Sequence, residues 1–157
     1  MVKDIIEIYF TRLNHHRPVF ERKDFEKVLD DLYEGRTVSH DPGYVCSLYL
    51  VLALGTLSEL NHRAVKMDTK DGAETGAHIG PILAKKLMPP DWPEHDEFFD
   101  RALSVKPDLR VTISSLQALI LLQWYLYTEV RAFNFLPCHY VVPLFSRHKM
   151  LPPGVQL

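Results

Sequence analysis

Residues 44–57 read YVCSLYLVLALGTL, the longest apolar run in the chain. Its apolar side chains fall on almost every face of a helix, and a helix that is apolar all round is buried between other helices. Asp41 and Pro42 stand just before the run, where an aspartate N-cap and a proline in the first turn favour the start of a helix. We therefore predict a central buried helix that extends to about residue 60.

Two more helices are predicted on the N-terminal side of the central helix. The first carries apolar residues at helical spacing from Ile5 to Leu13 and ends before residue 15. The second covers residues 25–33 and has apolar and charged residues on opposite faces. Gly35 follows it directly, and a glycine at this position favours a helix end.

The C-terminal side of the central helix is predicted to begin with a loop. Residues 61–80 are polar and hold three of the seven glycines, and residues 81–87 are expected to form a short helix. Pro93 precedes another helix with an apolar stripe. Ser114, with Gln117 three positions later, has the spacing of a capping box at the start of the last apolar helix.

The fold class follows from these segments. Only residues 37–39 and 111–113 are β-like, and both stretches are very short. Every longer periodic segment has the spacing of a helix. The sequence therefore predicts an all-α fold, an irregular array of several helices.

Composition and charge narrow the classes of protein to consider. The chain has 157 residues, of which 46% are hydrophobic and 24% charged, and this composition is typical of one soluble globular domain. The formal net charge is −2, so the sequence has no excess of basic residues that could form a nucleic-acid-binding surface. The run at 44–57 is shorter than the ~20 residues of a transmembrane helix, and no signal-peptide pattern opens the chain. Cys46 and Cys138 are too few for a cluster of metal-binding thiolates or a disulfide framework. We expect neither membrane insertion nor direct DNA binding.

No group of polar residues has the spacing of a catalytic or metal-binding motif. His15 and His16 are adjacent, so their side chains diverge on a helix and cannot grip one ion as a pair four residues apart does. Other isolated histidines are His40, His62, His78 and His95. The carboxylates of one acidic run suit the first turns of a helix; they are Asp91, Glu94, Asp96, Glu97 and Asp100. We predict no enzyme, no catalytic, metal-binding or DNA-binding residue, and no cofactor.

Two other patterns have structural interpretations. Gly72, Gly76 and Gly80 are spaced by four without the lysine and preceding strand of a phosphate-binding loop. The aromatic cluster of Trp124, Tyr125 and Tyr127 lies among apolar residues and is interpreted as core packing rather than as a stacking platform for nucleotides.

Two segments resemble a known family. Residues 8–20 read IYFTRLNHHRPVF, followed by Phe25, and residues 114–126 read SSLQALILLQWYL. The first resembles the opening of the fungal-specific transcription factor domain, the middle homology region of fungal zinc-cluster regulators, and the second resembles a recurrent core helix of that domain. The resemblance covers residues 5–132 in the expected order.

The resemblance implies a nuclear protein that regulates transcription. In this family a separate zinc binuclear cluster binds DNA, often as a dimer, while the helical region restrains or transmits activation and in some members senses a small effector. The implied partners are therefore the rest of a transcription factor or other proteins, with a homodimer and a small effector both compatible with the family. An effector site is expected between the helices at 44–60 and 116–127.

The chain departs from the family in two places. The six cysteines of the zinc cluster are absent, so zinc and sequence-specific DNA binding are not assigned to these residues. After Ala132 the sequence departs from the family pattern and becomes rich in proline, with Arg147 and Lys149 as its charges. We predict a partial regulatory domain over residues 1–132 and a divergent, poorly ordered tail over residues 133–157. If the chain did bind DNA, the residues responsible would be expected at 147–149 in this tail.

Two other classes of function stay open at this point. The first is a helical protein-interaction module with no connection to transcription. The second is a small helical enzyme that uses His15, His16 or the acidic run. A six-cysteine cluster encoded upstream would favour the transcription factor, and a stoichiometric metal in the purified protein would favour the enzyme.

Overall fold

The computed structural model describes residues 1–36, 41–70, 88–105 and 112–135, and of these it leaves the side chains of 64–70 and 129–135 undescribed. The prediction of an all-α fold is confirmed, since these residues form helices and contain no strand. The elements are α1 (Val2–Ile8), a π-helix (Tyr9–Asn14), α2 (Arg22–Tyr33), α3 (Pro42–Lys70), α4 (His95–Val105) and α5 (Ile113–Phe135).

The chain divides into two compact units, Met1–Tyr125 and Leu126–Leu157. The first unit contains the hydrophobic core, and α5 runs as one continuous helix across residues 132 and 133 to Phe135. The proposed division of the sequence after residue 132 stays a prediction. The short β-like stretch at 37–39, the short helix at 81–87 and the tail beyond residue 135 lie outside the described residues.

The first helix changes its winding in the middle. α1 passes without interruption into the π-helix, which ends at Asn14, and the chain then leaves helical geometry before Pro18. A π-helix inserts an extra residue into a turn, is rare in proteins and is frequent at functional sites. The predicted helix end before residue 15 is correct. The change from α-helix to π-helix, in contrast, could not be predicted from the spacing of the apolar residues.

α2 is the amphipathic helix expected from the sequence. Phe25 and Leu29 are buried on its inner face, and Gly35 adopts a left-handed backbone conformation with φ of 63° just after its end. The hydroxyl of Tyr44 donates a hydrogen bond of 2.8 Å to the backbone oxygen of Phe25, which ties α2 to the start of α3.

α3 is the central helix of the core. Asp41 caps its start, because the backbone N–H of Tyr44 donates to a carboxylate oxygen of Asp41 at 3.3 Å. Its most deeply buried side chains include Leu50 and Val51, and burial also raises the pKa of the Cys46 thiol, as expected for a core cysteine.

The predicted loop over residues 61–80 is wrong in its first half. α3 continues to Lys70, so residues 61–70 are helical, while 71–80 lie outside the described residues. The physical reason is that a polar composition does not end a helix when glycine and proline are absent, and the first glycine after Gly55 is Gly72. An ion pair between Glu59 and Arg63, four residues apart, also supports the extension.

Two glycines of α3 allow other segments to approach closely. A Cβ atom added to Gly55 would lie 2.7 Å from Cγ2 and 2.8 Å from the backbone oxygen of Ile5, so α1 crosses α3 at this point. A Cβ added to Gly43 would lie 2.6 Å from the backbone nitrogen of Ser115, so the start of α3 meets the start of α5. Both close approaches need a residue without a side chain.

The cap of α5 differs from the expected one. Thr112, not Ser114, is the capping residue, because its hydroxyl accepts a hydrogen bond of 3.1 Å from the backbone N–H of Ser115. The helix thus begins at Ile113, whereas a cap at Ser114 would place its first residue at Ser115. Gln117 is thereby released from a capping role and is available for a contact outside its own helix.

One helix within the described part of the chain has the length and composition to cross a bilayer. This is the stretch Pro42–Arg63 of α3, and 72% of its apolar window is buried inside the protein. The apolar run at 44–57, which Ser47 and Gly55 interrupt, is shorter than this stretch, so the run alone underestimates the length of the helix. Such burial is the pattern of a core helix.

Candidate functional site

The link after the π-helix is organised by one side chain. The amide oxygen of Asn14 accepts hydrogen bonds from the backbone N–H groups of Val19 at 2.9 Å and Phe20 at 3.3 Å. The amide nitrogen of Asn14 donates to the backbone oxygen of Phe20 at 3.1 Å. Through these bonds Asn14, at the end of the π-helix, pairs with the backbone of the two residues that follow Pro18, so that one side chain fixes the end of the link.

The second family-like segment contacts this link directly. The side-chain nitrogen of Gln117 on α5 donates a hydrogen bond of 2.8 Å to the backbone oxygen of Val19. Val19 is therefore held from two sides, by Asn14 through its N–H group and by Gln117 through its oxygen. The two segments that carry the family resemblance, 98 positions apart at this bond, meet in one place.

A cation–aromatic contact lies in the same region. The guanidinium of Arg17 is placed over the ring of Trp124, 5.4 Å from the ring centre, and the rings of Tyr9 and Trp124 are 6.5 Å apart. Arg17 is exposed and Trp124 half-buried, so the contact lies at the surface of the core. We call the set Asn14, Arg17, Val19, Gln117 and Trp124 the junction.

The aromatic cluster around Trp124 behaves only partly as predicted. Tyr125 is buried and stacks on Phe99 with ring centres 4.5 Å apart, as core packing requires. Trp124 packs against the core from a half-buried position, and Tyr127 is exposed. The interpretation as core packing is therefore correct for Tyr125, whereas Trp124 also serves as the surface platform for Arg17.

The candidate histidines do not converge. His15 and His16 are exposed neighbours with ring centres 5.4 Å apart, while the Nδ1 atom of His95 lies 2.7 Å from the hydroxyl of Tyr125. His62 lies 3.9 Å from Glu59 across one helical turn. His40 and His78 lie outside the described residues, and the described part of the chain contains no group of three potential metal ligands.

The acidic run is arranged around the start of α4. Asp96 and Glu97 lie in the first turn of this helix, where carboxylates are favoured by the helix dipole. Asp96 also accepts a hydrogen bond of 2.9 Å from the backbone N–H of Glu97, and Glu97 forms a 3.8 Å ion pair with Arg101 one turn later. These contacts agree with a structural role for the run.

A nearly buried carboxylate joins the π-helix to α3. Glu59, 11% exposed at its side chain, accepts charge-assisted hydrogen bonds from Arg12 at 2.9 Å and Arg63 at 2.7 Å. Burial of the Glu59 carboxyl acts to raise its pKa, but the hydrogen bonds from the two arginines outweigh burial and lower the pKa below its usual value. The Arg12 contact has no signal in the sequence, because its partners lie 47 positions apart.

We expect a pH dependence of stability from this carboxylate. Because the pKa of Glu59 is lower in the folded than in the unfolded chain, its stabilising contribution is present above the unfolded pKa and is lost as pH falls through the folded pKa. Glu59→Gln should lower the free energy of unfolding at neutral pH by about 1–3 kcal/mol. The measurement is urea unfolding at pH 7 and pH 3.

The matched control is Glu34→Gln on the exposed end of α2, which should change stability by less than about 0.5 kcal/mol. The difference between wild type and Glu59→Gln should shrink at pH 3, since this pH lies below the usual pKa of a glutamate carboxyl, where the contribution of Glu59 begins to be lost. A difference that is constant between the two pH values would contradict the assignment.

A cleft lies between α1 and α2. Its volume is about 280 Å³, with Ile6 and Leu29 at its apolar floor and ion-paired side chains around it, including Arg22 between Glu7 and Glu26. The effector site expected between helices 44–60 and 116–127 is a different place. At the Gly43 end of that interface the two helices are in close contact, and the effector site stays a prediction.

Sequence reasoning found the two segments of the junction but not the bonds between them. Asn14 and Gln117 carry the polar groups that link the segments, and neither the apolar pattern nor the resemblance predicts that the segments are in contact. Residue chemistry offers no reason to pair a glutamine on an apolar helix with a backbone oxygen so far away in sequence. Among known proteins, no family model, no curated protein and no solved structure matches the chain.

Proposed function

We propose that the chain is the regulatory helical domain of a fungal transcription factor, a nuclear protein acting on DNA-templated transcription without its own zinc-cluster DNA-binding module. The observation that carries the proposal is the hydrogen bond from Gln117 to the backbone oxygen of Val19. It joins the two segments that resemble the family, which agrees with their belonging to one ancestral domain rather than being two chance likenesses.

The junction also offers a means of regulation. Arg17 is exposed above Trp124, and its neighbours His15 and His16 are exposed as well, so the link presents polar groups at the surface while Val19 is fixed to α5. A partner segment that binds the link would act on α5 through Val19 and Gln117. A regulatory domain of this kind acts by binding a partner and transmitting the effect through its packed helices, so it needs no catalytic residue.

A transcription assay tests the proposal. The chain is inserted between a heterologous DNA-binding domain and a constitutive activation domain in a fungal host, and reporter expression is compared with that of the fusion lacking the insert. An unrelated helical domain of similar length is the control for spacing. We expect the chain, and not the control domain, to change reporter expression by at least about threefold at equal protein level.

An equal effect of both inserts would contradict the proposal. That outcome would favour the second candidate, a helical interaction module unrelated to transcription, which is supported by the exposed apolar residues on α5. A nuclear position of the untagged chain by immunofluorescence is a further expectation, and a purely cytoplasmic position would also count against a transcriptional role.

A further inference from the structure

Arg17 differs from the other arginines in the described part of the chain because it has no carboxylate partner there. Every other arginine whose side chain the structure describes forms an ion pair, namely Arg12, Arg22, Arg36, Arg63 and Arg101. The guanidinium of Arg17 lies instead over the ring of Trp124 and is exposed. A guanidinium presents a planar fork of N–H donors that fits a carboxylate, so Arg17 is available to an anionic ligand.

The position of Arg17 is fixed before any ligand binds. Its backbone N–H group donates a hydrogen bond of 3.2 Å to the backbone oxygen of Leu13. Val19, two residues later, is bonded to both Asn14 and Gln117. A group that is already ordered loses less conformational freedom on binding. Arginine and tryptophan are also enriched among the residues that dominate the energy of protein interfaces.

The charges around Arg17 favour an anionic ligand. The link at 15–20 contains no acidic residue, and the two histidines that precede Arg17 are exposed. The carboxylate of Glu59, which the π-helix contacts, already accepts hydrogen bonds from two other arginines. The sequence from 113 to 128 on α5 contains no charged residue, so this stretch offers no carboxylate that competes for Arg17.

An exposed apolar side chain lies one helical turn away from the ring beneath Arg17. Ile120 comes three positions after Gln117 and four before Trp124, so it lies on the same side of α5 as the two residues that contact the link. Its exposed fraction is 53%. Because one helical turn is about 5.4 Å long, a ligand that pairs with Arg17 above Trp124 also reaches Ile120.

We propose that the surface formed by Arg17, Trp124 and Ile120, the Arg17 surface, binds an acidic amphipathic helix of a partner protein. A carboxylate of this helix pairs with Arg17, and a large apolar side chain three or four positions away packs on Ile120. Side chains at this spacing lie about 5–6 Å apart on one face of a helix, which matches one turn of α5. The proposal rests on the regulatory role proposed for the junction and names the kind of partner that acts there.

A nucleic acid fits the Arg17 surface less well than an acidic helix does. Nucleic-acid binding depends on several lysines or arginines that neutralise successive phosphates. Arg17 is the one arginine in the link at 15–20, which has no lysine, and the neighbouring stretch of α5 is uncharged. An apolar side chain beside the arginine favours a ligand that carries both a carboxylate and an aliphatic group.

Fluorescence anisotropy of a labelled model peptide with the complete chain tests the proposal. The peptide is an amphipathic helix of about 18 residues with glutamate and leucine four positions apart on one face. Arg17→Ala should weaken its binding by about tenfold or more, and Ile120→Ser by about threefold. Arg101→Ala is the matched control, because Arg101 is an exposed arginine of α4 that already pairs with Glu97, and it should bind like wild type. Circular dichroism verifies that each variant is folded.

A charge exchange gives a second readout that a loss of folding cannot imitate. Arg17→Glu should bind the glutamate peptide more weakly than wild type does. It should bind the same peptide with lysine in place of glutamate more tightly than wild type does. A glutamine version of the peptide should bind wild type about tenfold more weakly than the glutamate version.

Three results would overturn the proposal. They are no binding of the glutamate peptide to wild type up to about 1 mM, equal binding by wild type and Arg17→Ala, and tighter binding of a single-stranded oligonucleotide than of the peptide at physiological salt. Peptide binding does not depend on transcription. Loss of peptide binding with an intact reporter effect therefore contradicts this inference alone, whereas intact peptide binding without a reporter effect contradicts the proposed function alone.

Discussion

Replacing Tyr9 with Ala is expected to lower the free energy of unfolding by about 4 kcal/mol, since a buried aromatic side chain is lost from the core. Tyr9 is completely buried in the π-helix. Its ring contacts Phe10 in an edge-on arrangement with centres 5.3 Å apart and lies 6.5 Å from Trp124. The cavity left behind would border both the core and the junction. Urea unfolding followed by circular dichroism measures the change.

Two controls separate packing from other effects at this position. Tyr9→Phe should cost less than about 1 kcal/mol, because the hydroxyl of Tyr9 makes only a long hydrogen bond of 3.5 Å to Asn14. Tyr33→Ala, at a position 59% exposed on α2, should change stability by about 0.5 kcal/mol or less. If Tyr9→Ala and Tyr33→Ala cost the same, the π-helix does not pack in the core as described.

Gly55→Ala is expected to lower the free energy of unfolding by about 2 kcal/mol. Alanine in place of glycine favours a helix by about 1 kcal/mol, so the substitution would stabilise a helix with open space around it. Here the new Cβ would lie 2.8 Å from the backbone oxygen of Ile5, which cannot move without displacing α1. The cost of overpacking, typically about 1–3 kcal/mol or more, exceeds the gain in helix propensity.

Gly35→Ala provides the comparison for Gly55→Ala. A Cβ added at Gly35 would meet no atom within 4 Å, but the φ of +63° is unfavourable for alanine and should cost about 1 kcal/mol. Gly35→Asn should recover part of this cost, because asparagine tolerates the left-handed region. Thermal unfolding of the three variants checks the order. A Gly55→Ala protein more stable than wild type would show that α1 and α3 do not cross closely there.

The fold class is predictable because apolar periodicity dominates this chain. The run at 44–57 predicts the central helix, and Asp41 with Pro42 predicts its start correctly. Its end is predicted wrongly, since the polar residues 61–70 have the composition of a loop although none of them breaks a helix. The cap of α5 is predicted wrongly for a different reason. Three hydroxyl side chains stand at positions 112, 114 and 115, and sequence alone does not decide which one has non-helical backbone.

The junction shows where prediction from sequence stops. The apolar pattern places α5 in the core, but it assigns no role to Gln117, and the capping-box interpretation gives this residue the wrong partner. Asn14 carries no signal either, because its bonds to Val19 and Phe20 depend on how the chain turns after a π-helix. Such contacts are determined by tertiary packing.

We propose that the junction couples the two family-like segments in a transcriptional regulatory domain. The most direct test compares reporter expression from the inserted chain with that from its Gln117→Ala and Gln123→Ala variants at equal protein level. Gln117→Ala removes the bond to Val19, whereas Gln123 is an exposed glutamine on the same helix. We predict that Gln117→Ala abolishes most of the effect of the chain on the reporter and that Gln123→Ala leaves it unchanged. Identical reporter expression from all three chains would contradict the claim.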